Sequence, residues 1–377
     1  MTNRLMYFYC SCLCVFIVVG CSKKASETTS NPTTPTPAIT DFSFPANLIA
    51  DSATIAGLKS DMSTDAELVS TYNAIIAEPA LQALAVTPVV FSSVNSNNFS
   101  NISTQANNCK VLAVQWLFLY NTKPAEATPY FNKIRSTLMA WVNAGNTALT
   151  HLPNETAYLG FYEAYSVIRS RVSTADKKSI DQWINTRANV FRNFPARVNN
   201  WETIRLNLLY YSGYILQADA ILNEAGNAYK TLLNVNLMAG GKSEDLIDRD
   251  AFAYHAYNLS FYGRILRAKA MYEGRPAMEI FKATKNNINV SLQDLIDFWK
   301  PYLTDPSNNI HLEFVRTTYE PDKQRADYNK PYLPASSLYA LEELLPVFAD
   351  VKSIIQTIPP GGTRYNRKLS GFIYWPR

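Results

Sequence analysis

Apolar residues recur every three or four positions along most of the chain after about residue 51, and this spacing predicts helices with one buried face. Some helix starts are marked as well. Pro124 opens one periodic segment, and Ser173 begins another with a sequence similar to a capping box. The pattern predicts helices over 109–120, 125–143, 155–171, 173–191, 201–216, 219–233, 250–272, 292–302 and 336–355.

Strand signals are sparse by comparison. The best candidates are the runs at 88–92 and 371–374, and both are short. The predicted helices follow one another in pairs with short connections, which is the spacing of an α/α hairpin array. We therefore expect one all-α domain over residues 45–377, with its core between inner and outer helices.

The first 44 residues have a different composition. Residues 5–20 are apolar, about as long as the central part of a signal peptide, and end in Val-Val-Gly before Cys21. This ending resembles a bacterial lipobox, so we predict a signal peptide over 1–20 and lipidation of Cys21; an uncut membrane anchor is the alternative. Residues 21–44 are rich in Ser, Thr and Pro and predict a tether. We expect the protein to be lipid-anchored in the cell envelope, at the outer membrane, on either face.

The amino-acid composition argues against several classes of protein and of functional site. The chain has 377 residues, 47% of them hydrophobic, which is too apolar for a disordered protein. Its net charge is only +4, so we expect no nucleic-acid partner. Its five cysteines do not form a disulfide framework, because four lie within the first 21 residues. With three histidines and no common nucleotide-binding, zinc-protease or nucleophile-elbow motif, we expect no metal and no cofactor; nothing points to a Ser-His-Asp triad.

Two polar segments at helix starts are candidates for chemistry. In the first, Asn199 and Asn200 precede Trp201 and a long apolar helix. The simplest interpretation is that Asn200 caps the helix and Trp201 belongs to the core. The alternative is a polar site at the helix start.

The second segment, 248–259, places Arg249, Tyr254, His255 and Tyr257 at the start of another helix. Tyr254 and Tyr257 are three positions apart and therefore share one helix face. One interpretation is an ordinary helix whose tyrosines pack inward. The polar tips on an otherwise apolar helix weaken that interpretation, because buried hydroxyl and imidazole groups need partners.

Taken in order, these segments resemble the alginate-lyase family of helical-toroid polysaccharide lyases over about residues 108–303. The similar features are a helix pair at 109–143, an Ala-Tyr pair at 164–165, the Asn-Asn-Trp at 199–201, an Arg followed by Tyr-His-x-Tyr-x-Leu within 249–259, and Phe-Trp-Lys-Pro-Tyr at 298–302. The resemblance implies an incomplete (α/α) toroid of paired antiparallel helices. It also implies cleavage of an acidic, uronate-containing polysaccharide such as alginate by β-elimination, and we expect the protein to act as a monomer.

The resemblance further implies roles for single residues. Asn200 and Arg249 would donate hydrogen bonds to the substrate carboxylate and stabilise the charge that develops there. Tyr257 would move the proton as base, acid or both, and Arg249 would lower its pKa for that task. The remaining candidates, which would bind the sugar, are Asn199, Trp201 and Tyr254.

Two positions differ from the family pattern. Trp201 stands where members usually have a histidine, and an indole cannot take up a proton. Arg249 precedes Tyr254 by five residues rather than four. His255 could replace the missing imidazole as a further catalytic residue. The alternative function is a catalytically lapsed, glycan-binding lipoprotein of the outer membrane, and a purely structural helical lipoprotein is a third.

Overall fold

The computed structural model of the protein describes residues 43–148, 151–359 and 363–376. The predicted signal peptide, Cys21 and nearly all of the predicted tether lie outside these ranges. The described residues belong to one compact unit, Phe42–Arg377. Within them, no helix combines the length and the apolar character needed to cross a bilayer.

The described residues form seventeen α-helices and one two-stranded sheet. The helices are α1 (Ser52–Met62), α2 (Ala66–Tyr72), α3 (Glu78–Ala85), α4 (Phe99–Leu119), α5 (Pro124–Asn143), α6 (Leu152–Glu155), α7 (Leu159–Ile168), α8 (Thr174–Arg192), α9 (Asn200–Leu216), α10 (Asp219–Asn236), α11 (Glu244–Arg249), α12 (Phe252–Glu273), α13 (Arg275–Lys282), α14 (Leu292–Thr304), α15 (Leu338–Leu344), α16 (Val351–Thr357) and α17 (Leu369–Tyr374). The antiparallel strands are β1 (Leu237–Met238) and β2 (Lys242–Ser243).

The long helices form two layers. The inner layer runs α4, α7, α9, α12 and α15, each packed against the next. Each of α4, α9 and α12 also packs against the helix that follows it, namely α5, α10 and α13, and α8 packs on α5 and α9. The inner helices α7 and α9 are buried over nearly their whole length, because both neighbours and the outer layer cover them. This arrangement confirms the all-α fold of paired helices in an (α/α) toroid.

Neither predicted strand forms. In the segment 88–92, the backbone N and O of Val89 both bond to the side-chain amide of Gln105, at 3.0 and 2.8 Å, so no strand partner is needed. The segment 371–374 belongs to α17, where its apolar residues pack into the core. Short apolar runs do not distinguish a buried strand from a buried helix, and both predictions failed for that reason.

Three predicted helices have different limits. The segment 336–355 is divided into α15 and α16, because Pro346 between them has no backbone N–H for a continuous helix. In 155–171 the regular helix is only α7, preceded by the 3₁₀ turn Thr156–Tyr158. Helix α4 begins at Phe99, ten residues before its predicted start, in a stretch whose serines and asparagines hide the helical pattern.

Helices α4 and α7 touch at a glycine. A Cβ atom on Gly160 would lie 2.3 Å from the carbonyl oxygen of Ala106, which is far inside the contact distance of two atoms. Only a residue without a side chain permits this approach. The glycine therefore sets the distance between two inner helices.

A network of five charged side chains lies between the inner helices α4, α7, α12 and α15. Glu163 contacts Lys110 at 2.9 Å and Arg267 at 3.0 Å, and Arg264 lies 3.5 Å away. Glu343 contacts Arg264 at 3.0 Å and also pairs with Arg267. The cations hold the pKa of Glu343 well below its usual range despite burial. Because three cations face two carboxylates, the network carries a surplus positive charge.

Candidate active site

The Asn-Asn-Trp segment lies at the start of α9. Asn199 caps this helix: its backbone is extended, and its Oδ1 accepts a hydrogen bond from the Trp201 backbone N at 3.2 Å. Asn200, the cap expected from the sequence, is instead the first helical residue. This correction matters because the side chain of Asn200 is then available for contacts away from its own helix.

Asn200 is bound to a buried acid. Its backbone N and its Nδ2 both donate to Oδ1 of Asp245, at 2.9 and 2.6 Å. The other oxygen, Oδ2, accepts from Nδ2 of Asn236 at 3.2 Å. Burial raises the pKa of Asp245 to about 7, although these hydrogen bonds act in the opposite direction. Since an amide nitrogen carries two hydrogens, Asn200 Nδ2 keeps one beyond the bond to Asp245.

The short helix α11 connects Asn200 to Arg249. Asp245, which holds Asn200, lies in the first turn of α11, and Arg249 is its last residue. The two positions are four residues apart, about 6 Å along the helix axis. Two of the residues predicted to bind a carboxylate are therefore brought together by one turn of helix.

The guanidinium of Arg249 is held by an acid and two aromatic rings. Its Nε and Nη2 atoms bond to the two oxygens of Asp322, which lies in the 3₁₀ turn Glu320–Gln324. It also lies over the rings of Tyr254 and Tyr319, 4.1 and 4.6 Å from their centroids. The side chain is 17% exposed. Arg249 is thus fixed in one position with a small part of its surface open to solvent.

A break between α11 and α12 lies in the segment between Arg249 and Tyr254. Asp250 adopts a left-handed backbone conformation, φ 49°, which ends α11, and its carboxylate binds the backbone N and the guanidinium of Arg316. Helix α12 begins only at Phe252, where the carboxylate of Glu313 accepts hydrogen bonds from the first backbone N–H groups. The predicted helix 250–272 therefore begins two residues later than expected, at Phe252.

Tyr257 lies on α12, half-buried and close to Thr156 and Arg264. Burial raises the pKa of Tyr257 to about 12, while contact with the Thr156 hydroxyl and the charge of Arg264 act in the opposite direction. This corrects the expectation that Arg249 lowers the pKa of the phenol. Tyr257 is therefore neutral over the physiological range, which makes its hydroxyl a proton donor rather than a ready base.

His255 lies in the core, not at the site. Its side chain is 0% exposed, Nδ1 lies 2.8 Å from the Ser243 hydroxyl, and Nε2 lies 3.3 Å from the carbonyl oxygen of Leu295. Burial lowers the pKa of His255 to about 4. The expectation that His255 replaces the missing imidazole does not fit this placement, because no substrate can reach the ring.

Trp201 belongs to an aromatic and basic cluster in which Phe194 is buried, Trp201 is partly exposed, and His151 and Arg197 are exposed. Its ring meets the His151 ring edge-on, with centroids 5.0 Å apart, and lies 6.3 Å from the ring of Phe194. The guanidinium of Arg197 lies 6.0 Å from the Trp201 centroid and 5.7 Å from that of Phe194. An open depression of about 520 Å³ adjoins this cluster and is lined in part by Phe194 and Arg197.

These groups meet where α6, α9, α11 and α12 begin or end. The hydroxyl of Thr203 in α9 donates to Oδ1 of Asn258 in α12 at 2.7 Å, which joins the N-terminal parts of the two helices. His151 directly precedes α6 and touches α9, while Thr156 directly follows α6 and touches Tyr257 of α12. The predicted residues Asn199, Asn200, Trp201, Arg249, Tyr254 and Tyr257 therefore belong to one region, and His255 does not.

Sequence reasoning missed four residues of this region. Asp245, Asp322, His151 and Arg197 lie in segments without a recognisable pattern, and each reaches the site through tertiary packing. Asp245 reads as an ordinary acid in the first turn of a helix, and only the structure shows that it is buried. In the ranges that the structure describes, no group of three or more His, Cys, Asp or Glu side chains is placed to hold a metal ion.

The arrangement combines hydrogen-bond donors for an anion, a neutral phenol, an imidazole and aromatic rings. A model of the alginate lyase family matches residues 120–309, half of the chain. The fold is similar to that of an alginate lyase from Bacteroides ovatus, with a TM-score of 0.64 at 13% sequence identity, over 87% of this chain and 98% of that one. No curated protein matches the sequence.

Proposed function

The chain belongs to the alginate lyase family, and on that premise we propose that it cleaves an acidic, uronate-containing polysaccharide such as alginate by β-elimination. The observation that supports this most strongly is the placement of Asn200 and Arg249 by the two ends of α11, beside the helix that carries Tyr257. Two donors for one carboxylate next to a proton-transfer group are what this reaction requires.

The chemistry explains why both donors are needed. The proton on C5 of a uronate is weakly acidic until the neighbouring carboxylate is neutralised by hydrogen bonds. In the elimination a base takes this proton, the C5–H electron pair forms the C4–C5 double bond, and the bond from C4 to the glycosidic oxygen breaks. Asn200 Nδ2 and the exposed part of Arg249 would bind the carboxylate and stabilise the charge that develops on it.

The leaving oxygen must gain a proton as the bond breaks. Tyr257 is suited to this step because its raised pKa keeps the hydroxyl protonated. Around it, Trp201 and Tyr254 would pack against sugar rings, and Asn199 would contribute the Nδ2 that its helix cap does not use. Arg197 and Arg249 together favour an acidic polymer over a neutral one.

A glycan-binding protein without turnover is the second candidate. Trp201 in place of the usual histidine favours it, because the indole can pack against a sugar but cannot accept a proton. Burial also raises the pKa of Tyr257 to about 12, so the phenol stays protonated near neutral pH and is not available as the base. Both proposals share the same ligand class and differ only in chemistry.

One experiment separates the two candidates. The protein without residues 1–20 is incubated with alginate, polyguluronate, polymannuronate, glucuronan and a neutral glucan, and the ultraviolet absorbance of the unsaturated product is followed. Binding to the same polymers is measured by calorimetry. Product from an acidic polymer supports the lyase; binding without product supports the second candidate. If no acidic polymer gives a product and none binds, both candidates are contradicted.

We also propose that the protein is anchored to the outer membrane by lipid on Cys21. The support is the apolar leader that ends in Val-Val-Gly-Cys and the Ser/Thr/Pro-rich segment after it. A Cys21→Ser variant is expected to leave the membrane fraction and to lose the mass of the lipid. A variant that still fractionates with membranes and keeps its leader would contradict this proposal.

A further inference from the structure

The three histidines of the chain differ sharply in their access to solvent. His255 is fully enclosed, with both ring nitrogens close to partners. His311 keeps 15% of its side chain exposed; its Nε2 lies 3.1 Å from the Asp250 carbonyl oxygen, and its ring packs on Phe252. His151 is the exposed one, and its ring touches Trp201. All three lie within the described residues, so the comparison covers every imidazole in the chain.

His151 is also the histidine that lies at the site. It directly precedes the four-residue helix α6, and the residue that follows α6, Thr156, contacts the phenol of Tyr257. Four helical residues span about 6 Å. The imidazole and the phenol therefore flank a single helical turn. The same imidazole packs against Trp201, the neighbour of Asn200 in α9.

We propose that His151 is the general base of the elimination, an assignment that rests on the proposed function. A ring nitrogen of His151 takes the C5 proton, and the C5–H electron pair becomes the C4–C5 double bond. The bond between C4 and the glycosidic oxygen breaks, and that oxygen takes the proton of the Tyr257 hydroxyl. The imidazolium then loses its proton to solvent, and the tyrosinate regains one. Protons and electrons balance without any co-reactant.

Three properties of the region support this assignment. Imidazole is the side chain most often used to move protons near neutral pH. The edge-on contact with Trp201 limits the rotation of the His151 ring. In this assignment Trp201 orients the base and does not itself transfer a proton. The phenol of Tyr257 stays protonated near neutral pH because burial raises its pKa to about 12, so the reaction needs a second proton-transfer group.

The test compares His151→Ala and His151→Gln with His311→Gln, which changes a histidine outside the proposed machinery. On the best acidic polymer, we expect kcat to fall at least about 100-fold in both His151 variants with KM changed by less than about threefold. The acid limb of the pH profile of kcat/KM should disappear with the imidazole. Added free imidazole should partly restore turnover in His151→Ala, since the position is open to solvent. His311→Gln should keep the wild-type kcat and show no response to imidazole.

The outcomes that overturn the assignment are distinct from those that overturn the function. A wild type that cleaves acidic polymers, with His151→Ala retaining kcat within threefold, contradicts the assignment alone. Loss of kcat in His151→Ala with an unchanged acid limb and no rescue by imidazole also contradicts it, because His151 would then only position other groups. A wild type that cleaves no acidic polymer contradicts the proposed function and this assignment with it.

Discussion

Asn200 donates two hydrogen bonds to a single oxygen of Asp245, from its backbone N at 2.9 Å and from its side-chain Nδ2 at 2.6 Å. The acid that receives them is almost completely buried, 2% exposed, and burial raises its pKa to about 7. Asp245 therefore changes its charge near neutral pH while it is hydrogen-bonded to Asn200, a residue proposed to bind the substrate carboxylate. Stability and substrate binding should both depend on pH through this group.

Asp245 should make the protein less stable as the pH rises. The unfolded chain releases this proton near pH 4, whereas the folded protein holds it up to about pH 7. The contribution of Asp245 to the free energy of unfolding is therefore complete below about pH 4 and is lost as the pH rises to about 7, by up to about 4 kcal/mol. Urea denaturation of the wild type and of Asp245→Asn at several pH values measures it.

We expect Asp245→Asn to remove this part of the pH dependence. Glu313, whose pKa burial also raises to about 7, is present in both proteins, so its effect cancels in the difference. If the difference in the free energy of unfolding between the two proteins stays constant from pH 4 to pH 8, Asp245 is not the group responsible.

Replacing Tyr257 by Phe should abolish turnover and preserve binding. The ring keeps its packing against Phe261, while the only proton donor proposed for the leaving oxygen is lost. We expect kcat to fall at least about 100-fold with the Kd for the polymer within threefold. The matched control is Tyr229→Phe, which removes a buried hydroxyl that has no hydrogen-bond partner among the described residues. Equal turnover in wild type and Tyr257→Phe would refute the mechanism.

Substitution of His255 should affect stability rather than catalysis. In His255→Ala the Ser243 hydroxyl and the Leu295 carbonyl lose their contacts with the ring and a cavity remains, so we expect a loss of about 2–4 kcal/mol in the free energy of unfolding. The kcat of the folded fraction should stay within threefold. A tenfold loss of kcat at unchanged stability would instead restore the catalytic role inferred from the sequence.

The lowered pKa of His255 predicts that the free energy of unfolding also depends on pH, with a sign opposite to that of the Asp245 effect. The folded protein keeps this imidazole neutral down to about pH 4, whereas the unfolded chain binds a proton near pH 6.5. The free energy of unfolding should therefore fall as the pH drops from about 6.5 to 4. His255→Gln should weaken this acid sensitivity, and thermal unfolding at pH 4.5 and 7.5 measures the difference.

Two glycine-to-alanine variants, one at the contact and one elsewhere as a control, test the close packing of α4 and α7. Gly160→Ala would place a Cβ atom 2.3 Å from the Ala106 carbonyl oxygen, so the helices must separate and we expect a loss of about 2–3 kcal/mol. Gly226→Ala is the control, since the nearest atom to its Cβ is the Tyr210 hydroxyl oxygen at 3.7 Å. It should raise helix stability by up to about 1 kcal/mol. Equal urea midpoints for the two variants would contradict the packing argument.

Much of the fold was predictable because helical periodicity is a local property. The limits of α5, α8 and α9 agree with the predictions to within a residue or two, since Pro124, Ser173 and Asn199 mark their starts. The strands at 88–92 and 371–374 were wrong because short apolar runs carry no period. The break at Asp250 was missed because it depends on Arg316, which is 66 positions away.

The candidate site was only partly predictable. Asn200, Arg249 and Tyr257 belong to one region, as their order along the chain suggested. His255 could have been excluded from the sequence, because residues two positions apart point to nearly opposite sides of a helix, and Tyr257 faces the site. His151 and Asp322 could not have been found, since nothing local distinguishes them and only the packing of distant segments brings them there.

The buried charge network links inner helices that are far apart along the chain, and this should make their unfolding cooperative. In arrays whose pairs touch only their neighbours, one end can open while the other stays folded. Here Arg267 bonds to Glu163 across 104 positions and pairs with Glu343 on α15 as well. Separating one of these four helices from the others would leave buried charges without a partner, at about 3–5 kcal/mol for each broken pair. We therefore expect α4, α7, α12 and α15 to separate together rather than one after another, which would keep the inner layer rigid.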